Sequence, residues 1–258
     1  MDFYKKLKKQ HLIAGHRGYR SAYPENTLDS FEGAIGKFDY IELDVQPSSD
    51  GRLMIFHDDT LERTTDIENI SDDMRPHHLI DYDYDTLRGL VAGSWFVESG
   101  SISPQKIPTL DEALGLCAKY DMPLNIEIKD SPRCDANRLL NDVLDAIKPY
   151  QSTLPLLISS FNHKYLKALH FLAPSLSLAA NVEYTHPPKL LKYLNSLGVC
   201  AYHIDEPLAE TTPINELKNA DITCGVFTVN DPARQKVLFD KGFRTIFADE
   251  PSIVTQNE

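Results

Sequence analysis

Two short runs carry acidic residues at every second position. In "YIELDVQ", Tyr40 to Gln46, Glu42 and Asp44 alternate with Ile41, Leu43 and Val45. On a strand that period sends both carboxylates to one face and the aliphatic side chains to the other. The run "LNIEIK", Leu124 to Lys129, repeats the arrangement, with Glu127 and Lys129 on one face and Ile126 and Ile128 on the other. Carboxylates gathered in an interior repel one another and resist desolvation, so they need a cation or take up protons. Three of them converging from neighbouring strands suit one hard divalent ion, Mg²⁺ or Ca²⁺, with Lys129 beside whatever anion the ion attracts. The same alternation also describes half-exposed strands of an antiparallel sheet, so the surrounding elements must decide.

Two histidines stand at the ends of apolar runs. "HLIAGHRG" closes on His16, Arg17 and Gly18, and "GRLMIFHDD" closes on His57. A His-Arg pair leaving a strand is poor core material but holds an anion well. Two imidazoles beside a cation and an Arg/Lys pair suit phosphoryl transfer: one removes a proton from the attacking oxygen and the other protonates the leaving oxygen. His77 and His78, and His163 and His170 in a helical stretch, read as surface or packing residues; His203, in "VCAYHID", is directed to a pocket by position alone. Walker-type, GxGxxG and GxSxG signatures are absent.

The elements that must position these groups alternate. Eight β-rich runs, "HLIAGH", "YIELDVQ", "LNIEIK", "LPLLISSF", "LSLAAN", "VCAYHID", "ITCGVFTV" and "TIFAD", are mostly separated by helical segments with recognisable caps. Thr109 and Glu112 have capping-box spacing, Asn162 heads "HKYLKALHFL", and Asp231-Pro232 opens a helix closed by Gly242. Eight β–α units in a chain of 258 residues predict an α/β fold, a (β/α)₈ TIM barrel in one domain spanning 1–258, with an open doubly wound sheet as the alternative. A polar, irregular stretch from about His57 to Pro108 breaks the alternation and reads as an insertion subdomain after the second strand, approximately residues 58–108. In a barrel wrapped by helices the acidic faces point inward, and the strand-end histidines fall at the C-terminal rim where barrel enzymes do their chemistry.

A formal net charge of −12 argues against a nucleic-acid backbone as partner, which needs a basic surface. No apolar run is long enough to span a bilayer, and the lysine-rich N-terminus has no h-region, so a cytoplasmic location without stable membrane association is expected. Cys117, Cys134, Cys200 and Cys224 form no CxxC pair and are expected to be buried free thiols.

The assembled residues resemble the glycerophosphodiester phosphodiesterase family. The resemblance rests on "HRG" at His16, "PENT" at Pro24, "ELD" at Glu42, "HD" at His57 and "EIK" at Glu127, and continues in order through "TLERTT", "AGSWF", "IPTLDEAL", "ISSFN", "FTVN" and "ADEP". It implies a barrel with an insertion after the second strand that hydrolyses glycerophosphodiesters, such as glycerophosphocholine or glycerophosphoethanolamine, to sn-glycerol 3-phosphate and an alcohol. By the same resemblance Glu42, Asp44 and Glu127 are metal ligands, His16 and His57 the acid/base pair, and Arg17 and Lys129 phosphate contacts. Glu25 is placed near the site, with Asn26 or Thr27 capping the next helix. Phe227 stands where the family often has Trp, keeping an apolar wall for the substrate but losing an indole N–H; Ala248-Asp249 replaces a common Thr-Asp, a change expected to touch local hydrogen bonding. Phosphodiesterases of lysophospholipids or glycerophosphoinositol, and an inactive barrel binding a phosphate metabolite, are the other readings.

Overall fold

The computed structural model describes residues 2–70, 76–93, 95–96 and 104–252. Nine strands lie among them: β1 (Leu12–Gly15), β2 (Tyr40–Pro47), β3 (Leu53–Ile55), β4 (Leu124–Ile128), β5 (Leu156–Ser160), β6 (Ser177–Val182), β7 (Ala201–Asp205), β8 (Thr223–Phe227) and β9 (Thr245–Ala248). Eight of them pair in parallel in the order β1-β9-β8-β7-β6-β5-β4-β2, and β1 pairs with β2 to close the ring. The result is a (β/α)₈ TIM barrel, and its eight strands are the eight β-rich runs of the sequence. The open sheet is excluded by the Ala14–Tyr40 and Gly15–Ile41 pairing that joins its ends.

The helices are α1 (Phe3–Lys6), α2 (Leu28–Ala34), α3 (Ile67–Ile70), α4 (Tyr84–Gly89), α5 (Leu110–Lys119), α6 (Ala136–Ile147), α7 (His163–Leu172), α8 (Leu190–Leu197), α9 (Ile214–Asn219) and α10 (Pro232–Lys241). Their starts follow the predicted chemistry. Thr109 and Glu112 form a reciprocal capping box on α5, Asn162 caps α7, and Asp231 caps α10, which ends on left-handed Gly242. None of the described helices is long and apolar enough to cross a membrane.

Alternation along the strands divides two apolar layers. Ile41, Leu43 and Val45 of β2 pack outward with Leu110, Leu114 and the other helix residues of the main core. Inside the barrel, Leu12, Ala14, Tyr40, Leu157, Ala179, Ala201 and Phe247 form a separate cluster, completed by Phe3 and Tyr4 from α1, which plugs the N-terminal end. Small side chains at Ala14, Ala179 and Ala201 leave room for those two rings.

The chain leaves the barrel after Pro47, ahead of the residue-58 boundary expected from the sequence, because β3 already belongs to the excursion. It runs antiparallel to β2, pairing Ile55 with Val45. With Phe56, Leu61, Ile67, Leu79, Leu87, Leu90 and Ile107, Met54 of β3 builds a third apolar cluster that secures the described part of this segment. All four cysteines are free; Cys117 and Cys224 are buried, whereas Cys134 and Cys200 are only half-covered, against expectation.

Candidate active site

The strand ends at the C-terminal face surround a cavity of about 300 Å³. His16, Arg17, Glu42, Asp44, His57, Glu127 and Phe227 all line it, and Lys129 reaches its acidic wall. Register explains the convergence. Asp44 of β2 is paired with Glu127 of β4, and one layer lower Glu42 is paired with Asn125. Oxygen atoms of Glu42, Asp44 and Glu127 lie within 4.8 Å of one another, and all three residues are buried.

Each acid is held by specific donors. Glu42 accepts the Arg17 backbone N–H at 2.9 Å, and Asp44 accepts the Asn26 side-chain amide at 2.8 Å. Lys129 donates to Glu127 at 2.7 Å and stands 3.5 Å from Asp44. Arg17 adopts a left-handed backbone with φ of 56°, followed by Gly18 at 86°. Gly18 is required there: a Cβ would fall 2.3 Å from Ser30 Oγ.

Charge in the cluster is out of balance. Burial, then the charges of Asp44 and Glu127, push the Glu42 carboxyl well above its ordinary value. Burial also raises Glu127, against the pull of Lys129. For Asp44 burial acts upward too, but Lys129, His57, Arg17 and the Asn26 bond together hold it below the usual carboxylate range. Two of the three acids are thus driven toward protonation with Lys129 and Arg17 in place, which is the deficit a divalent cation removes. The donor set is all oxygen, and Asn125 Oδ1, on the same wall, is buried without a hydrogen-bond partner. These residues fit a hard cation.

The histidines flank this wall, each braced by a carboxylate. His16 Nδ1 lies 2.8 Å from Asp249 Oδ1, and His57 Nδ1 2.6 Å from Asp58 Oδ1. Ionised carboxylates only accept, so each imidazole donates through Nδ1 and keeps Nε2 for another partner. Burial lowers the His16 pKa in spite of Asp249. Asp249, the retained acid of the Ala248-Asp249 pair, is therefore the group that orients His16.

Glu25 is buried and accepts from Arg17 at 2.7 Å, Arg20 at 2.9 Å and Arg63 at 2.6 Å. Thr27 caps α2, while Asn26 serves Asp44 instead. Of the residues lining the cavity, sequence reasoning missed Asn125, Phe161, Asn181, Glu183, Asp205 and Phe247. Asn125 was within reach, since it lies two residues before Glu127 on the same face. His203 faces the cavity, as position alone indicated. His163 packs through Tyr193 and the Asn181 carbonyl, and His77 is buried against Tyr82.

The profile of the glycerophosphoryl diester phosphodiesterase family matches residues 16–253. The chain belongs to that family. Membership carries the enzyme class with it, a phosphodiesterase. A glycerophosphodiester phosphodiesterase of Bacillus altitudinis is 33% identical over 249 residues, covering 93% of this chain and 94% of that one. Among solved structures, an Oleispira antarctica phosphodiesterase in complex with its product sn-glycerol 3-phosphate superimposes with a TM-score of 0.86 at 29% identity, covering 98% of each chain. A Silicibacter pomeroyi protein at 22% identity and TM-score 0.82, covering 95% of this chain and 91% of its own, shares the barrel. In the glycerophosphodiester phosphodiesterase barrel described here, the inward acids, the strand-end histidines and the excursion after β2 occupy one face.

Proposed function

We propose that the enzyme hydrolyses glycerophosphodiesters to sn-glycerol 3-phosphate and an alcohol, with Glu42, Asp44 and Glu127 holding one divalent cation, Mg²⁺ or Ca²⁺. The convergence of those three acids with two carboxylate-braced histidines in one cavity carries the reading. The cation, when bound, supplies positive charge to the phosphoryl oxygens. Arg17 and Lys129 bind the phosphodiester; the buried Arg17 Nε–H makes no hydrogen bond and stands 3.5 Å from Asp44 Oδ2, within reach of a phosphoryl oxygen brought to the same wall. His16, whose pKa burial lowers, takes the proton from the attacking oxygen through Nε2. That oxygen belongs to water, or to the substrate's own glycerol 2-hydroxyl, in which case the first product is a cyclic phosphate that water then opens to glycerol 3-phosphate. As the new P–O bond forms and the ester P–O bond breaks, His57 gives its proton to the departing alkoxide.

The cavity mouth supports a cationic alcohol such as choline or ethanolamine. Glu183 and Asp205 line it together with Phe161 and Phe227, whose rings meet edge to face at 5.7 Å. Carboxylates and aromatic faces both attract an ammonium group. The enzyme acts from aqueous solution, in the cytoplasm, on a small molecule.

The test is release of glycerol 3-phosphate from glycerophosphocholine and glycerophosphoethanolamine, with EDTA and after restoring Mg²⁺ or Ca²⁺, by wild type and His57→Ala. Release that requires the cation and collapses in the variant is expected. Undiminished release in EDTA overturns the metal, and undiminished release by His57→Ala overturns the acid. Faster turnover of a lysophospholipid or glycerophosphoinositol overturns the headgroup assignment.

A further inference from the structure

Below the acidic cluster a line of hydrogen bonds runs through the barrel interior to the N-terminal plug. Asn181 Nδ2 donates to Glu127 Oε2 at 3.0 Å, Asn181 Oδ1 lies 3.2 Å from His203 Nδ1, and His203 Nε2 lies 2.8 Å from the Tyr4 hydroxyl. The Tyr4 hydroxyl is 3.3 Å from that of Tyr40, which in turn is 2.7 Å from Thr245 Oγ1. Tyr4, Tyr40, Asn181 and His203 are all buried.

The direction of this line is fixed at the Glu127 end. Asn181 aims its NH₂ at Glu127 and its carbonyl at His203, the one orientation open to it when Glu127 holds a cation, since a metal-bound carboxylate is ionised and can only accept. That carbonyl also only accepts, so His203 carries its hydrogen on Nδ1. Burial lowers the His203 pKa to about 3, and a neutral Nδ1–H imidazole leaves Nε2 as an acceptor. Tyr4, kept protonated by burial, fills it with its O–H.

The ring has little freedom to escape this arrangement. Phe247 packs against it at 4.9 Å between centroids, and even a methyl group at Gly225 would fall 2.8 Å from its Cδ2. The Tyr4 main chain is pinned separately, its carbonyl accepting from Arg244 at 2.6 Å and the neighbouring Phe3 N–H donating to Ser177 Oγ at 2.9 Å. The hydroxyl can therefore be removed while the helix stays in place.

We propose that Tyr4 is a positioning residue for the metal site: through His203 it fixes the Asn181 amide in the orientation that presents Glu127 to the cation. This rests on the reading of Glu127 as a metal ligand. Without the Tyr4 hydroxyl, Nε2 is a buried acceptor with no donor, and the imidazole relieves it by moving its hydrogen to Nε2. Nδ1 then no longer donates to Asn181, and the amide is free to turn its carbonyl toward Glu127.

The experiment titrates Mg²⁺ and Ca²⁺ into metal-free wild type, Tyr4→Phe, Asn181→Ala, the double variant and Tyr40→Phe by calorimetry, and reads the His203 tautomer from ¹⁵N shifts. Outer-shell partners commonly govern metal affinity by about 10- to 100-fold, so Asn181→Ala is expected to raise Kd about tenfold and Tyr4→Phe about fivefold. The double variant should be no weaker than Asn181→Ala alone. Tyr40→Phe removes an equally buried hydroxyl outside the required path and should leave Kd within about twofold. A Tyr4→Phe Kd equal to wild type, equal weakening by Tyr40→Phe, or full additivity in the double variant would overturn the proposal. If Tyr4→Phe does not fold, the wild-type tautomer decides: Nδ1–H supports the proposal and Nε2–H overturns it. A wild type that binds neither cation overturns the metal reading itself.

Discussion

Glu25 offers the sharpest test of the electrostatics around the site. It takes bonds from three arginines, two from the loop after β1 and one, Arg63, from the excursion. Burial alone would raise its pKa, but Arg63, Arg17 and Arg20 lower it from an ordinary 4.5 to about 2. At about 1.4 kcal/mol for each tenfold change, the folded state prefers the charged carboxylate by about 3 kcal/mol. Arg63 is 43% exposed, and screening there brings the expected figure nearer about 2 kcal/mol. The folded pKa is depressed, so this stability is fully present above the unfolded value and is lost as pH falls from about 4.5 toward about 2. Glu25→Gln, nearly isosteric, should cost about 2 kcal/mol or more at pH 7 in urea unfolding, and the gap from wild type should close as the medium is acidified through that window. A gap independent of pH would mean that shape and not charge holds the arginines, refuting the argument.

Three further outcomes follow from single contacts. Asp249→Asn weakens the 2.8 Å bond that orients His16; charge-assisted bonds of about 1.5–3 kcal/mol make a fall in kcat of about 10- to 100-fold the expected steady-state result, with KM nearly unchanged. Thr109→Ala removes one half of the α5 capping box and should lower unfolding free energy by about 1 kcal/mol without touching turnover. Mg²⁺ or Ca²⁺ at a hundredfold excess over Kd should stabilise wild type by about 2.7 kcal/mol in thermal unfolding, an increment absent from Asp44→Asn.

The barrel was legible because parallel strands buried on both faces announce themselves as short apolar runs, and the acids were legible because they interrupt two of those runs with a period of two. The groups that orient the acids were harder to find for a physical reason. Asn181 and His203 lie on strands without a comparable acidic alternation, and their value depends on neighbours brought together only by ring closure. Tyr4 sits in a lysine-rich terminus with no sustained apolar run, yet its ring is buried inside the barrel. Asp249 belonged to a matched motif, but nothing local ties it to His16, 233 positions away. The early start of the excursion escaped notice because β3 has only three residues.

Distance in sequence also hides how firmly the two histidines are tied to the acids. His16 follows β1 directly, and its neighbour Arg17 gives its N–H to Glu42 on the adjacent strand. His57 belongs to the excursion, where a loop would ordinarily leave it loose. Here β3 lies antiparallel on the end of β2, and the Phe56 N–H donates to the Asp44 carbonyl at 3.0 Å. Gln46, on the same face of β2 as Glu42 and Asp44, is buried and sends its amide to the carbonyls of Phe56, His57 and Asp58 at 3.0, 3.1 and 2.8 Å. The strand that supplies two acids therefore also fixes the backbone carrying the second histidine, and Asp58 braces its ring. Rigid elements hold reacting groups to the tolerance that proton transfer requires, and the acid role proposed for His57 is compatible with its loop only because that loop is stitched to such an element.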